Sequence, residues 1–286
     1  MRHVVSVGGG FSSTIELPLE VIRKYGADNV DLVICALAGE SGDLWRLVRE
    51  CERLTGKHVT RISYSPDTKL KYAVNAPPET WWGIWDVFFD QGMMGNPFAD
   101  PCSRMLKRET MARAMNAAYN PANTVLHVGI TTHEIDRMLA IRRNWNKQGW
   151  QVEADLCDLQ LEGDSGERCQ RLLGWQPIAY QRGHTHNNCN GFCIKAGKGQ
   201  MARLLYYDRE NYLYHEINEA KFQERFETTA TIMRDEFSKH GERSVRPLTL
   251  RQFRERMESK WAAMLPGFDP FDDLDDTPMC RYCEAV

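Results

Sequence analysis

The stretch His3-Val4-Val5-Ser6-Val7-Gly8-Gly9-Gly10-Phe11-Ser12-Ser13-Thr14 decides the reading of the fold. A short valine-rich run ends in a glycine triplet, and from Thr14 to Tyr25 the apolar residues recur at helical spacing, so the segment reads as strand, tight loop and helix. Glycines at that junction let the backbone turn sharply and bring its N–H groups against an anion, while the helix offers the positive end of its dipole. Ser12, Ser13 and Thr14 add hydroxyl donors at the helix start. The loop is therefore expected to hold phosphate. It is not a dinucleotide fingerprint, because position 13 is Ser where Gly-x-Gly-x-x-Gly drawn from Gly8 needs Gly, and no Gly-Lys-Ser or Gly-Lys-Thr follows to make a Walker loop.

Working outward, Asp31 to Leu37 is a continuous apolar run, as expected of a strand buried on both faces. Ser41 to Thr55 repeats at helical period with Leu44, Leu47, Val48, Cys51 and Leu54 on one face, His58 to Ile62 forms a third strand, and Thr124 to Gly129 adds another. Strands alternating with helices predict an α/β fold with a doubly wound, mainly parallel, Rossmann-like sheet over residues 1–155. Ser63 to Pro101, with Trp81, Trp82, Trp85, Phe88 and Phe89, is too long for an idle connection and reads either as a lid or as an excursion anchored by its aromatics. After Asp155 the alternation stops. Helices are expected near Gly166 to Leu173 and from Met201 to Lys239, making residues 156–286 a mostly helical, cysteine-containing appendage.

With 42% hydrophobic and 26% charged residues, the 286-residue chain can bury a substantial core. It contains no run of about 18 apolar residues, and the glycine loop interrupts the N-terminus before a signal-type core forms, so a cytoplasmic protein is expected. The formal net charge of −3 gives no overall pull toward nucleic acid. A base on RNA or DNA would have to be held by a local patch, for which Arg142, Arg143 and Lys147 are the first place to look; a small-molecule acceptor is the other option. The aromatic loop serves a core or an interface equally well, which leaves a homo-oligomer open.

Nine cysteines in such a chain argue for buried thiols together with a metal or redox site rather than for disulfides. Cys35 and Cys51 lie in apolar patterns and read as small buried hydrophobes, and Cys157 and Cys169 have no partner at metal spacing. Cys189 and Cys193, and then Cys280 and Cys283, form two close pairs, enough to close a zinc site or hold an iron–sulfur cluster. His184 and His186 precede the first pair and permit a mixed ligand set. Cys102 stands apart, on the loop before a helix read from Ser103 to Ala118. Arg104, Lys107 and the helix start are expected to lower its pKa and suit it to nucleophilic, sulfur-carrying or cluster-binding work.

The loop Gly8-Gly9-Gly10-Phe11-Ser12-Ser13-Thr14 resembles the pyrophosphate (PP) loop, Ser-Gly-Gly-x-Asp-Ser-Ser/Thr, of the adenine-nucleotide hydrolase superfamily of sulfonucleotide reductases, ATP sulfurylases and tRNA thiolases. Gly8 replaces the usual Ser and Ser12 the usual Asp, which keeps the backbone donors while removing a hydroxyl and a carboxylate. Gly129-Ile130-Thr131-Thr132-His133-Glu134-Ile135-Asp136-Arg137 is similar to the family's Gly-Ile-Arg-x-x-Glu-x-x-Arg segment, and Cys102 to Lys107 to its Cys-x-x-x-x-Lys element. Cys189 to Gly197 and the terminal Cys-x-x-Cys resemble the phosphoadenosine phosphosulfate reductase-like subgroup, many of whose members are phage-associated. The resemblance implies a HUP-type sheet and binding of ATP or a related adenine nucleotide with Mg2+ by Gly8, Gly9, Gly10, Ser12, Ser13, Thr14 and Gly129. It also implies charge chemistry by Lys107, Glu134 and Arg137, and an iron–sulfur cluster, or Zn2+, on Cys189, Cys193, Cys280 and Cys283. Adenylation of an acceptor followed by sulfur transfer is the implied activity; the alternatives are reduction of a sulfonucleotide with release of sulfite, and nucleotide sensing or a DNA-associated role around a structural zinc.

Overall fold

The computed structural model describes residues 1–274 except 97, 98, 185, 240, 241, 266 and 273, and of residues 133, 237–239, 242 and 243 the backbone alone. Six strands form one sheet in the order β4-β3-β2-β1-β5-β6: β1 (Arg2–Val7), β2 (Val30–Cys35), β3 (Val59–Tyr64), β4 (Tyr72–Val74), β5 (Thr124–Val128) and β6 (Gln151–Glu153). All neighbours pair parallel except β3 and β4. The central strand β1 registers Val5 against Leu32 on one side and His127 on the other, so the chain winds outward from β1 first one way and then the other. A crevice at the carboxyl ends of the strands is the consequence, opening where β1 and β5 diverge.

Helices cover both faces. After the glycine loop, Ser12–Glu16 forms a wide π-helical turn that runs into α1 (Leu17–Tyr25), and α2 (Gly42–Thr55) begins at Ser41, whose hydroxyl accepts the Leu44 N–H at 3.1 Å. The helix ends at Gly56, which takes the left-handed conformation at φ 66°. Leu44, Leu47, Val48 and Cys51 are buried, as the spacing predicts, in one core with Val5, Val7, Ile15 and Leu32. The aromatic stretch folds as the edge strand β4 and α3 (Ile84–Gln91), whose Trp85 and Phe88 are buried, so its aromatics anchor it to the core. A further helical run begins at Pro101, passes through a second π-helical turn at Arg104–Glu109 and continues as α4 (Thr110–Ala118). Then come α5 (Ile135–Asn146), α6 (Ser165–Leu173), α7 (Lys198–Tyr207), α8 (Arg209–Arg225) and α9 (Leu250–Ala262).

One expectation fails here. The helix read from Met201 to Lys239 is two helices, α7 and α8, followed by β7 (Met233–Lys239), which pairs antiparallel with β8 (Glu242–Leu248). Alternation was present, but its inward positions include Asp235, a buried carboxylate that takes Lys198 at 2.6 Å and Arg256 at 2.7 Å, so no apolar stripe marks the strand. The Cys280 and Cys283 pair lies outside the described residues. Among the described residues no helix is long and apolar enough to cross a membrane.

Candidate functional site at the carboxyl ends of the strands

The glycine loop leaves β1 directly into the crevice. Ser13 packs so tightly there that a Cβ on Gly129, the residue after β5, would lie 2.4 Å from Ser13 Cβ and 3.0 Å from its Cα. Sequence alone gave Gly129 a ligand-facing role; the structure gives it a packing role, since only a bare backbone lets β5 close on the loop. Thr14 turns inward, its hydroxyl donating to the Gly8 and Gly10 carbonyls at 2.6 and 2.7 Å, and Ser13 Oγ donates to the Gly10 carbonyl at 3.1 Å. These two hydroxyls shape the loop. Ser12 Oγ accepts from Arg168 at 2.7 Å, and Arg168 is held in turn by Glu16 at 2.8 Å. Arg168, on α6, was not singled out in the sequence, and nothing in its spacing signals the contact.

The C-terminal half covers the loop. Tyr180 Oη accepts the Phe11 N–H at 3.1 Å, and the Asn188 amide sits so close over Gly9 that a Cβ there would meet Asn188 Oδ1 at 1.9 Å. Asn187 is buried beside it, with Oδ1 accepting from Ser41 Oγ at 3.1 Å and Nδ2 without a hydrogen-bond partner among the described residues.

Beyond the loop, thiols gather around Lys107. Lys107 Nζ lies 3.4 Å from Glu40, and Cys189, Cys193 and Cys35 all act on its charge. Burial works against the ammonium, but Glu40 and these sulfurs outweigh it and its pKa is raised. The carboxylate of Glu40 also accepts the Cys189 N–H at 2.6 Å. That bond fixes an unusual piece of backbone, in which Cys189, Asn190 and Gly191 all take positive φ of 52°, 48° and 83°. Cys102 acts electrostatically on both Cys193 and Cys189, so the three sulfurs lie in one neighbourhood although they come from separate parts of the chain; they do not reach the 4.8 Å mutual spacing that, among the described residues, His127, Glu153 and Asp155 show. Asp100 ties the two segments together, accepting from Arg108 at 3.0 Å and pairing with Lys195 at 2.5 Å.

This corrects the reading of Cys102. It is in the first helical turn, Pro101–Ser103, rather than on a loop before it, and desolvation pushes its thiol up to about 12, with Cys193 adding to the rise. Flanking cations do not overcome burial. Cys189 and Cys193 are raised by desolvation too. Yet the sulfurs are provided with thiolate-stabilising contacts: the backbone N–H groups of Lys195 and Ala196 point to Cys193, and that of Ser103 to Cys102. Amide donors aimed at a desolvated sulfur favour its thiolate and offset part of the cost of burial.

His186 lies within reach of the Lys107, Glu40 and Arg137 charges, and desolvation, with Lys107 beside it, lowers its pKa to about 4, leaving a neutral imidazole. Arg137 and Glu134 are joined to each other as an ion pair at the start of α5, one helical turn apart. Glu40 was missed in the sequence. Its signal was position, since it stands between the end of β2 and the α2 cap, where doubly wound sheets place ligands.

No family model matches the chain, and neither a curated protein nor a solved structure matches it. The site therefore rests on its own geometry: a glycine loop at the switch point of a parallel sheet, a polar cover above it, and three thiols with Lys107 and Glu40 beside it.

Proposed function

We propose that the chain is a cytoplasmic enzyme of the phosphoadenosine phosphosulfate reductase-like, PP-loop kind, with a HUP-type sheet and a cysteine-bearing C-terminal appendage. In this reading ATP, or a related adenine nucleotide, lies with its phosphates on Gly8–Gly10 and the hydroxyl of Ser12, while Ser13 keeps its bond to the Gly10 carbonyl. An acceptor oxygen attacks the α-phosphorus and pyrophosphate leaves; a sulfur nucleophile then displaces AMP, which departs with that oxygen. The observation that carries the reading is the gathering of Cys102, Cys189 and Cys193 around Lys107 next to the loop. In this reading Lys107 and Arg137 exchange their partners Glu40 and Glu134 for the charge that moves in the transfer, and Glu134 is then the carboxylate offered to Mg2+. An iron–sulfur cluster on the thiols supplies electron transfer or sulfur binding beside the nucleotide, whereas zinc supplies structural closure alone.

The test is anaerobic purification with metal analysis, followed by nucleotide assays. A brown protein with about four irons per chain that releases pyrophosphate from ATP only when an acceptor is present is the expected result. Sulfite release from a sulfonucleotide would make it a reductase instead, and colourless protein with one zinc and no turnover would overturn the enzymatic reading. Nucleotide sensing is the second reading, favoured by one observation: Tyr180 and Asn188 already occupy the approach to the loop.

A further inference from the structure

On the α1 face of the sheet, His127 of β5, Glu153 at the end of β6 and Asp155 just beyond it bring one imidazole nitrogen and two carboxylate oxygens within 4.8 Å of one another. His127 is fully buried and Asp155 nearly so. We propose that these three residues bind a divalent transition-metal ion, of the class that accepts mixed imidazole and carboxylate ligands (Mn2+, Fe2+ or Zn2+), at a site separate from the thiols.

The arrangement of the outer contacts carries this assignment. His127 and Asp155 are each held through a second atom, and Glu153 through both carboxylate oxygens, since Oε1 accepts from exposed Gln151 Nε2 at 2.7 Å. His127 turns Nδ1 toward Asp155 Oδ2, 2.5 Å away, while its Nε2 lies 2.9 Å from His3 Nδ1. Asp155 keeps Oδ2 for the centre and ties Oδ1 to Lys24 at 3.0 Å. Glu153 is steadied by the Tyr25 hydroxyl, which donates to Oε2 at 3.2 Å, and Tyr25 stacks on His3 with centroids 3.7 Å apart. Outer hydrogen bonds that fix ring orientation and carboxylate rotation are characteristic of protein metal centres. The short contact between His127 and Asp155 holds a proton where the ion would sit. On binding, that proton need not leave: His127 passes to the Nε2–H tautomer and donates to His3 Nδ1, and His3 moves its own proton to Nε2.

Charge and access agree. Asp155 and Asp158 both approach Lys24, at 3.0 and 3.4 Å, so with Glu153 and Arg142 the cluster sets three carboxylates against two cations. A hollow of about 320 Å³, lined by Ile135, Met138, Arg142, Glu153, Asp155 and Asp158, reaches the two carboxylate residues from solvent, although His127 does not line it.

Co2+ titration of the full chain tests the proposal, because cobalt on nitrogen and oxygen ligands gives weak visible bands, whereas cobalt on thiolates adds an intense near-ultraviolet charge-transfer band. The expected result is one equivalent of Co2+ with visible bands that survive Cys193→Ser, are displaced by Zn2+, and weaken in affinity about tenfold or more in Glu153→Gln. His127→Gln should abolish them. Because Glu153 is partly exposed, Glu153→Gln is the variant that decides if His127→Gln fails to fold. Visible bands unchanged in Glu153→Gln, or cobalt uptake seen only as a thiolate band that Cys193→Ser removes, would overturn the site without touching the reading of the thiols.

Discussion

Gly129→Ala is the most direct probe of how the sheet closes on the glycine loop. The added Cβ would lie 2.4 Å from Ser13 Cβ and 3.0 Å from Ser13 Cα, where ordinary contact begins near 3.4 Å, so the loop must retreat by about 1 Å. Retreat is resisted on the far side, since Thr14 is fully buried and bonded to Gly8 and Gly10, and Asn188 presses on Gly9. Overpacking of this kind costs about 1–3 kcal/mol, which in a chain of this size lowers Tm by roughly 2–10 °C. A displacement of about 1 Å also disorders an anion cradle enough to weaken nucleotide binding by at least about tenfold. The assay is thermal unfolding together with calorimetric titration of ATP, with Gly42→Ala as control, because a Cβ at Gly42 meets nothing within 4 Å. That control should be neutral or slightly stabilising. If Gly129→Ala matched the parent in both Tm and ATP affinity, the packing argument and the placement of the loop at the β1–β5 crevice would both be wrong.

Three further outcomes follow from the same geometry. Cys102→Ser and Cys193→Ser should each abolish the visible absorbance of anaerobically purified protein, whereas Cys157→Ser, whose sulfur meets the Ile130 carbonyl at 3.4 Å away from the other thiols, should leave it intact. Tyr180→Phe frees the Phe11 N–H for a phosphate oxygen and should tighten nucleotide binding a few-fold at a cost of about 1 kcal/mol in stability; weaker binding would mean that Tyr180 contacts the nucleotide. His215 is stacked on Phe192, accepts the Trp85 indole N–H at 2.9 Å and, through desolvation, has its pKa lowered to about 3. Because the unfolded imidazole protonates near pH 6.5 and the folded one does not, the stability that His215 contributes should fall from about pH 6.5 downward by up to about 1.4 kcal/mol per unit, beside the like contribution of His186 and the opposite one of Glu219, whose carboxyl is raised to about 7. Urea unfolding of the parent and His215→Gln at pH 7, 6 and 5 isolates that share: the variant's slope should be lower than the parent's by up to about 1.4 kcal/mol per unit.

What could be read from the sequence was whatever the backbone period and local chemistry record. β1, β2 and β5 are mostly apolar runs buried on both faces, β3 mixes Val59 and Ile62 with the partly exposed Thr60 and Arg61, and α2 announces itself by its Ser41 cap and an uninterrupted apolar stripe. α8 was harder, because its buried face carries Tyr212, His215, Glu216, Glu219 and Phe222. Glu219 is inside because it accepts the N–H groups of Ile232 and Leu250, at 3.2 and 2.6 Å, where the chain enters and leaves the hairpin. A polar residue buried for the sake of a distant backbone looks, in sequence, like a solvated one. The same blindness hid β7, where Asp235 is matched by Lys198 and Arg256.

The sequence by itself therefore determined the parallel sheet and the place of the glycine loop, and offered candidate thiols and cations, since these depend on neighbours along the chain. Only the tertiary structure decided which of them meet. It brought Cys102 to Cys189 and Cys193, and supplied Glu40 to hold Lys107 and the Cys189 backbone. It also reversed the expected acidity of Cys102, because Lys107 favours a thiolate by less than burial disfavours it. Desolvation depends on what packs around a group from every direction, and no stretch of sequence carries that information.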